Sequence, residues 1–261
     1  MSLQSDAYAA DGSLKGKLRR RYARLVHRRP ARMLLDRPMV SFSFDDAPSS
    51  AVQTGAALLE ARGLKGTYFI SMGLAGRTSP MGRIAGVEEL ERLIPAGHEI
   101  ACHTYSHLDC GQATVAQIDA DVLRSKAALT GLGAPAPTTF AYPYGDVSPI
   151  AKQTLGARFA LQRALHHGLI HDGADLNQAP AVGIEGVDGE LVASRWLKRA
   201  LKEHAWLILY THDVAEDPSA WGCTPGALSR LIDRALKGGA DVVTVEDGCR
   251  RIGAPRFAKA A

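Results

Sequence analysis

The sequence predicts an α/β fold, a parallel sheet wrapped by helices and closed, or nearly closed, into a barrel. Three observations predict it. Short apolar runs of strand length alternate with helical stretches along most of the 261 residues. Gly63, Gly97, Gly131 and Gly238 each follow a helical stretch, where a C-cap glycine belongs. Seven or eight such strands in one chain favour closure over an open sheet.

Residues 1–13 read as a disordered start, followed by a basic amphipathic helix from Leu14 to Leu35 that stops before Pro38. The first strand, Val40–Phe44, leads to a helix over Ala51–Arg62 that ends at Gly63. Strand Gly66–Ile70 precedes a helix over Val87–Ala96, closed by Gly97. Strand Glu99–Cys102 precedes the helical stretch Thr114–Thr130, closed by Gly131. Strand Thr138–Tyr142 and helix Pro149–Gly156 follow, then strands Arg158–Leu161 and Ala181–Ile184. Helix Glu190–Glu203, strand Trp206–Tyr210, helix Pro225–Lys237 and strand Asp241–Val245 complete the pattern. The division expected is a basic arm over 1–37, a barrel domain over 38–250 and a tail over 251–261.

A chain of this length buries about three quarters of its unfolded surface, so it needs no disulfide or metal to hold a core. Its longest apolar run, Ala205–Tyr210, has six residues, whereas a membrane-spanning helix needs about 20. No apolar stretch of signal-peptide length follows the basic N-terminus, so a cytoplasmic location is expected. Free thiols are then expected for Cys102, Cys110, Cys223 and Cys249, which form no C-x-x-C pair.

Charge is concentrated at one end. Residues 1–37 carry ten Lys/Arg and three Asp/Glu, while the rest of the chain has a net charge of −3. An acidic body excludes a general nucleic-acid role. The arm over 15–37 is suited to an anionic membrane surface, with Leu18, Tyr22, Leu25 and Val26 as its apolar stripe. Packing of that stripe on the barrel explains the same spacing.

In a β/α barrel the reactive groups stand at the C-terminal strand ends. The first strand runs into Asp45-Asp46. Two carboxylates there can share one site, one holding a cation and the other left free, or simply make a turn before Pro48. His103 and His107 lie four apart, a spacing that on a helical turn puts both imidazoles on one face. With Asp46 they supply two histidines and a carboxylate, a set suited to Zn²⁺ or a similar divalent ion. Tyr142-Pro-Tyr-Gly145 ends another strand and can expose the backbone N–H of Tyr144 to an oxyanion. His212, after Trp206–Tyr210, has the pKa range of a general acid. Trp221 is placed at the groove rim or in a packed loop.

These segments occur in a recognisable order. Ser43-Phe-Asp-Asp-Ala-Pro48 resembles the T-F-D-D-G-P motif of the polysaccharide deacetylases, the NodB homology family (carbohydrate esterase family 4). His103-Thr-Tyr-Ser-His107 resembles the family's H-[ST]-x-x-H motif, Tyr142-Pro-Tyr-Gly145 its R-x-P-Y-G motif and Leu209-Tyr-Thr-His212 its late L-x-H-like motif. The resemblance spans about residues 38–246. It implies a distorted (β/α)₇-type barrel and a metal-dependent hydrolase that removes N-acetyl groups from amino sugars of a glycan. Asp45 then looks like the general base, His212 the general acid and the Tyr144 N–H part of the oxyanion hole. Asp46, His103 and His107 look like the ligands of a divalent ion, expected to be Zn²⁺. Cleavage of an O-acetyl ester, a formamide or a cyclic imide on the same fold is the alternative, and a non-catalytic glycan-binding module is a third reading. A cytoplasmic member needs an accessible substrate, and a lipid-linked saccharide at the inner membrane face would be one.

Two departures from the family pattern stand out. Ala47 replaces a glycine, a mild change if the local φ is negative. Ala141 replaces the arginine that orients the base, leaving Arg158, Arg163 and Arg195 as substitutes. Asp172, Asp175 and Glu185 are candidates to orient His212.

Overall fold

A computed structural model of the chain describes residues 11–254. The expected disordered start and the tail therefore fall largely outside the described residues. In chain order the first elements are α1 (Leu14–Ala23), β1 (Met39–Asp45), α2 (Ala56–Glu60), β2 (Thr67–Ile70), β3 (Thr78–Ser79), β4 (Gly82–Arg83) and α3 (Val87–Leu93). Next come β5 (Glu99–Cys102), α4 (Val115–Gly131), β6 (Thr139–Ala141), α5 (Pro149–Gly156), β7 (Leu161–Arg163) and β8 (Val182–Gly183). The last are α6 (Gly189–Glu203), β9 (Trp206–Thr211), α7 (Pro225–Lys237), β10 (Asp241–Val242) and α8 (Val245–Arg251).

One curled parallel sheet runs in the order β7-β6-β5-β2-β1-β9-β8, with β10 paired to the start of β1. Ala179 bridges to Arg163 of β7, and Val182–Gly183 pair with β9, so the two sheet edges meet across this segment. The strands are buried on both faces, as a parallel sheet covered by helices requires. Outward-pointing Val40, Phe42, Phe44, Tyr68 and Phe140 pack with helix residues such as Leu90, Ile118, Leu155 and Leu231. Inward-pointing Met39, Phe69, Ala101, Ala141, Leu161 and Ile208 fill the lumen. All four cysteines are free and buried, and Cys102 donates to Ser125 Oγ at 3.4 Å within the core.

Several boundaries differ from the sequence reading, each for a local reason. The arm helix ends at Ala23, not Leu35. Pro30 disfavours helical backbone at Arg29, and the Arg29 guanidinium donates instead to the carbonyls of Gly156, Phe159 and Ala160. Extended chain follows, bridged at Pro30 to Asp175. The strand expected at Arg158–Leu161 starts at Leu161, because Arg158 and Phe159 still donate to Leu155 O at the end of α5. The strand expected over Asp241–Val245 stops at Val242. Thr244 Oγ1 accepts from Asp247 N at 3.1 Å and caps α8, a helix the sequence reading missed. The expected Ala51–Arg62 helix opens as a wider π turn over Ala51–Gly55. That turn sets Gly55 against the Phe44 ring, where a Cβ would come within 2.8 Å. The left-handed residues after α4 and α7 are Gly133 and Gly239, one or two positions beyond the glycines expected to cap them. The β3–β4 hairpin was also missed, since two-residue strands carry no readable period.

At the N-terminal strand ends, α8 closes the barrel floor. Val245 N donates to Thr67 Oγ1 at 2.9 Å, and Glu246 N donates to Glu99 Oε2 at 2.9 Å. Thr67 and Thr139 also donate to the Glu99 carboxylate, which burial pushes up to about 7. This polar floor lies at the end of the barrel opposite the residues singled out for chemistry.

Candidate active site

The residues singled out for chemistry stand at the C-terminal strand ends. Asp45 is the last residue of β1, His103 follows β5, Tyr144 follows β6 and His212 follows β9. The chain turns sharply between them, because φ is positive at Asp46 (57°), Ala47 (51°), Thr104 (62°), His107 (58°) and Tyr144 (59°). Ala47 therefore sits where glycine would be unstrained, at a cost of about 1–2 kcal/mol. The change from glycine is not the mild one that a negative φ would make it.

His103 and His107 do not share a helical turn. They are brought together by a loop with left-handed residues at Thr104 and His107, ring centroids 4.9 Å apart. The loop is clamped from α4, where Asp121 accepts from Tyr105 N at 2.6 Å, Ser106 N at 3.0 Å and Ser106 Oγ at 2.7 Å. Ser71 Oγ donates to His103 O at 2.7 Å. Asp121 was missed by sequence reasoning, since nothing in the local pattern distinguishes it from a solvated helix acid.

Asp46, His103 and His107 converge in the buried interior, with one ligand atom from each lying within 4.8 Å of the others. Asp46 Oδ1 is 4.0 Å from His103 Nε2, and Asp46 Oδ2 is 3.7 Å from His107 Nε2. Neither oxygen of this fully buried carboxylate accepts a hydrogen bond. An orphaned buried carboxylate is costly without a cation, so the residues present fit a divalent ion. Burial, then the His107 charge, drives the His103 imidazolium down to about 3. Burial lowers His107 as well. Neutral imidazoles are the form that binds metal. His103 Nδ1 lies 2.8 Å from Ala141 O, which aims Nε2 at Asp46 and fixes the ring.

Two charged pairs flank this cluster. Asp45 accepts from the Nη2 of Arg163, a fully buried arginine. The guanidinium stands 5.1 Å from the ring centroids of both Phe69 and Tyr210. Of the three arginines considered from sequence, Arg163 therefore holds Asp45. It is the register partner of Ala141 on the neighbouring strand, so the missing arginine is supplied one strand over at the same height. Arg163→Ala leaves a buried carboxylate unpaired and is expected to lower stability by about 3–5 kcal/mol, read by thermal or denaturant unfolding. Adding Ala141→Arg to that variant is expected to recover much of the loss.

On the other side, His212 Nδ1 lies 3.0 Å from Glu185 Oε1 and 3.2 Å from Trp221 O. Glu185 follows β8 and is the carboxylate that orients His212. Asp172 and Asp175 instead hold the arm, accepting from Met33 N and Arg29 N. Trp221 meets His212 through its carbonyl, placed by a loop in which Asp213 accepts from Ser219 N and Oγ. Burial pulls the His212 imidazolium down, but the Glu185 hydrogen bond and the charges of Asp45, Glu185 and Asp46 outweigh it and push it up to about 9. A group that must donate a proton loses activity as pH rises through its pKa. Glu185→Gln removes the nearest negative charge, so the alkaline fall in a pH–rate profile is expected about 1–2 units lower. The Tyr144 ring packs edge-on against His107, centroids 4.4 Å apart.

Comparison with known proteins agrees with this geometry. Residues 34–159 match the family model described as polysaccharide deacetylase. A chitin deacetylase from Pestalotiopsis sp is 28% identical over 116 residues, covering 44% of this chain and 37% of that protein. A probable peptidoglycan-N-acetylglucosamine deacetylase from Arthroderma benhamiae is 27% identical over 117 residues, covering 44% of this chain and 26% of that protein. The match thus spans between about a quarter and little more than a third of the length of these curated relatives. The barrel superposes on a family 4 acetyl xylan esterase from Clostridium thermocellum, solved with a cobalt ion, at a TM-score of 0.59 and 19% identity. That likeness covers 83% of this chain and 93% of that one. Four motifs in order and the match over residues 34–159 make the chain similar to the polysaccharide deacetylases, the NodB homology or carbohydrate esterase family 4 group, and the superposition shows the shared barrel.

Proposed function

We propose that this protein is a metal-dependent hydrolase that removes N-acetyl groups from amino sugars of a poly- or oligosaccharide. One observation carries the reading: a buried Asp46–His103–His107 donor set, with both Asp46 oxygens orphaned, lies between a base-like Asp45–Arg163 pair and an acid-like His212–Glu185 pair. Asp46, His103 and His107 would hold a divalent ion, Zn²⁺ on this donor chemistry, which would supply Lewis acidity toward water and the acetyl carbonyl. Asp45, fixed by Arg163, takes the proton of the attacking water on its carboxylate. The backbone N–H of Tyr144 donates to the oxyanion. His212, protonated and braced by Glu185, gives its proton to the departing sugar nitrogen. A non-catalytic binding module has no need of two oriented proton-transfer pairs around a cation site.

The test is acetate release from acetylated chitin, peptidoglycan and xylan fragments, with and without chelator. Release from the amino-sugar polymers that chelator stops supports the proposal. Release from acetylated xylan alone transfers the reading to an O-acetyl esterase. No release from any fragment by the metal-loaded protein overturns the proposal and leaves the binding module or hydrolysis of a formamide or cyclic imide, neither of which yields acetate.

A further inference from the structure

We infer that α1 is a docking surface for an anionic membrane. The helix attaches to the barrel by one face and leaves the opposite face unpartnered among the described residues. Gly16 and Ala23 are the buried residues of α1, and Ala23 O accepts from the Lys152 Nζ of α5 at 2.6 Å. On the same side, Arg19 Nη2 and Arg20 Nη1 reach the fully buried Asp146 carboxylate at 2.5 and 3.3 Å. At 3.6 residues per turn, Leu14, Leu18 and Tyr22 fall on the other side of the helix, and Leu25 lies in the turn just past its end. They are 74%, 56%, 58% and 76% exposed. The stripe expected from sequence is thus present but does not pack on the barrel, and its half-buried fourth member, Val26, gives way to Leu14.

Four large apolar side chains in one exposed row are an unusual surface for a protein whose core is otherwise well covered. Their surroundings specify the occupant. Exposed Lys15, Lys17, Arg21 and Arg24 surround the row, while the acidic groups near the helix are taken up by Arg19, Arg20, Arg28 and Lys152 on its attached side. An apolar row framed by cations matches the boundary between acyl chains and anionic headgroups, where each basic residue adds attraction. The anchor also ties the surface to the candidate active site. Asp146 directly follows the Pro143-Tyr-Gly145 turn, whose Tyr144 ring touches His107. A membrane bound at α1 is therefore coupled to the end of the barrel where the proposed chemistry occurs, which suits a glycan presented on a lipid.

Co-sedimentation of the full chain with vesicles tests the surface without reference to activity. Pelleting with phosphatidylcholine–phosphatidylglycerol vesicles but not with phosphatidylcholine alone, weakened by salt, is expected. Leu18→Glu with Tyr22→Glu is expected to cut the bound fraction roughly tenfold, with the thermal midpoint unchanged because both side chains are exposed. The same pair of changes at Leu123 and Leu191, exposed on α4 and α6, is expected to leave binding intact. Absence of pelleting with anionic vesicles, or equal pelleting of the α1 variant, overturns the inference. A dimer in solution that the α1 changes dissociate also overturns it, because the occupant is then a second copy of the chain.

Discussion

Asp46→Ala is expected to strip the protein of its divalent ion and to lower acetate release by roughly 10³–10⁴-fold or more, the equivalent of several kcal/mol of transition-state stabilisation. Elemental analysis of the purified, metal-replete protein checks it. The wild type should carry one ion per chain and the variant nearly none. Misfolding would mimic this result, but the structure separates the two. Asp46 is fully buried and neither of its oxygens accepts a hydrogen bond. In the metal-free protein it is a liability, because an unpaired buried carboxylate destabilises the fold. The metal-free variant should therefore melt at or above the midpoint of the metal-free wild type. Added ion should raise the midpoint of the wild type only, since a ligand stabilises what it binds. A variant that keeps its ion, or that melts well below the metal-free wild type, sinks the assignment of Asp46 as a ligand.

Asp45→Asn should have nearly as large an effect on rate and none on metal content. Removal of a general base is expected to lose on the order of 10²–10⁴-fold. The asparagine oxygen can still accept from Arg163, so the barrel lining stays in place and the loss reports proton transfer. Single-turnover acetate release measured beside elemental analysis gives both readouts. If Asp45→Asn loses the ion while Asp46→Asn keeps it, the two roles are reversed. The adjacent carboxylates are distinguished by what surrounds them. Asp45 meets an arginine held between two rings, and Asp46 meets two histidine nitrogens that burial keeps neutral.

Much of this site was legible in the sequence because its groups lie in short segments at strand ends. Asp45-Asp46, His103-x-x-x-His107, Tyr142-Pro-Tyr-Gly145 and His212 each follow an apolar run, and barrel topology gathers strand ends at one mouth. Less was legible in the residues that support them. Arg163, Glu185 and Asp121 lie on different elements from the groups they hold, and each looks locally like any other charged residue.

The sequence by itself determined the alternation of the main strands and helices and the strand-end positions of Asp45, Asp46, His103, His107, Tyr144 and His212. Those follow from hydrophobic period and local motif, which act over a few residues. Tertiary structure decided which of three arginines holds Asp45, and which of three acids braces His212. It also decided that the arm helix stops at Ala23 and turns its apolar row outward. These outcomes rest on contacts between residues far apart in the chain. Arg163 reaches Asp45 across 118 positions and Arg19 reaches Asp146 across 127. Such contacts depend on the sheet's register and closure, and only the folded barrel sets the distances across which opposite charges meet.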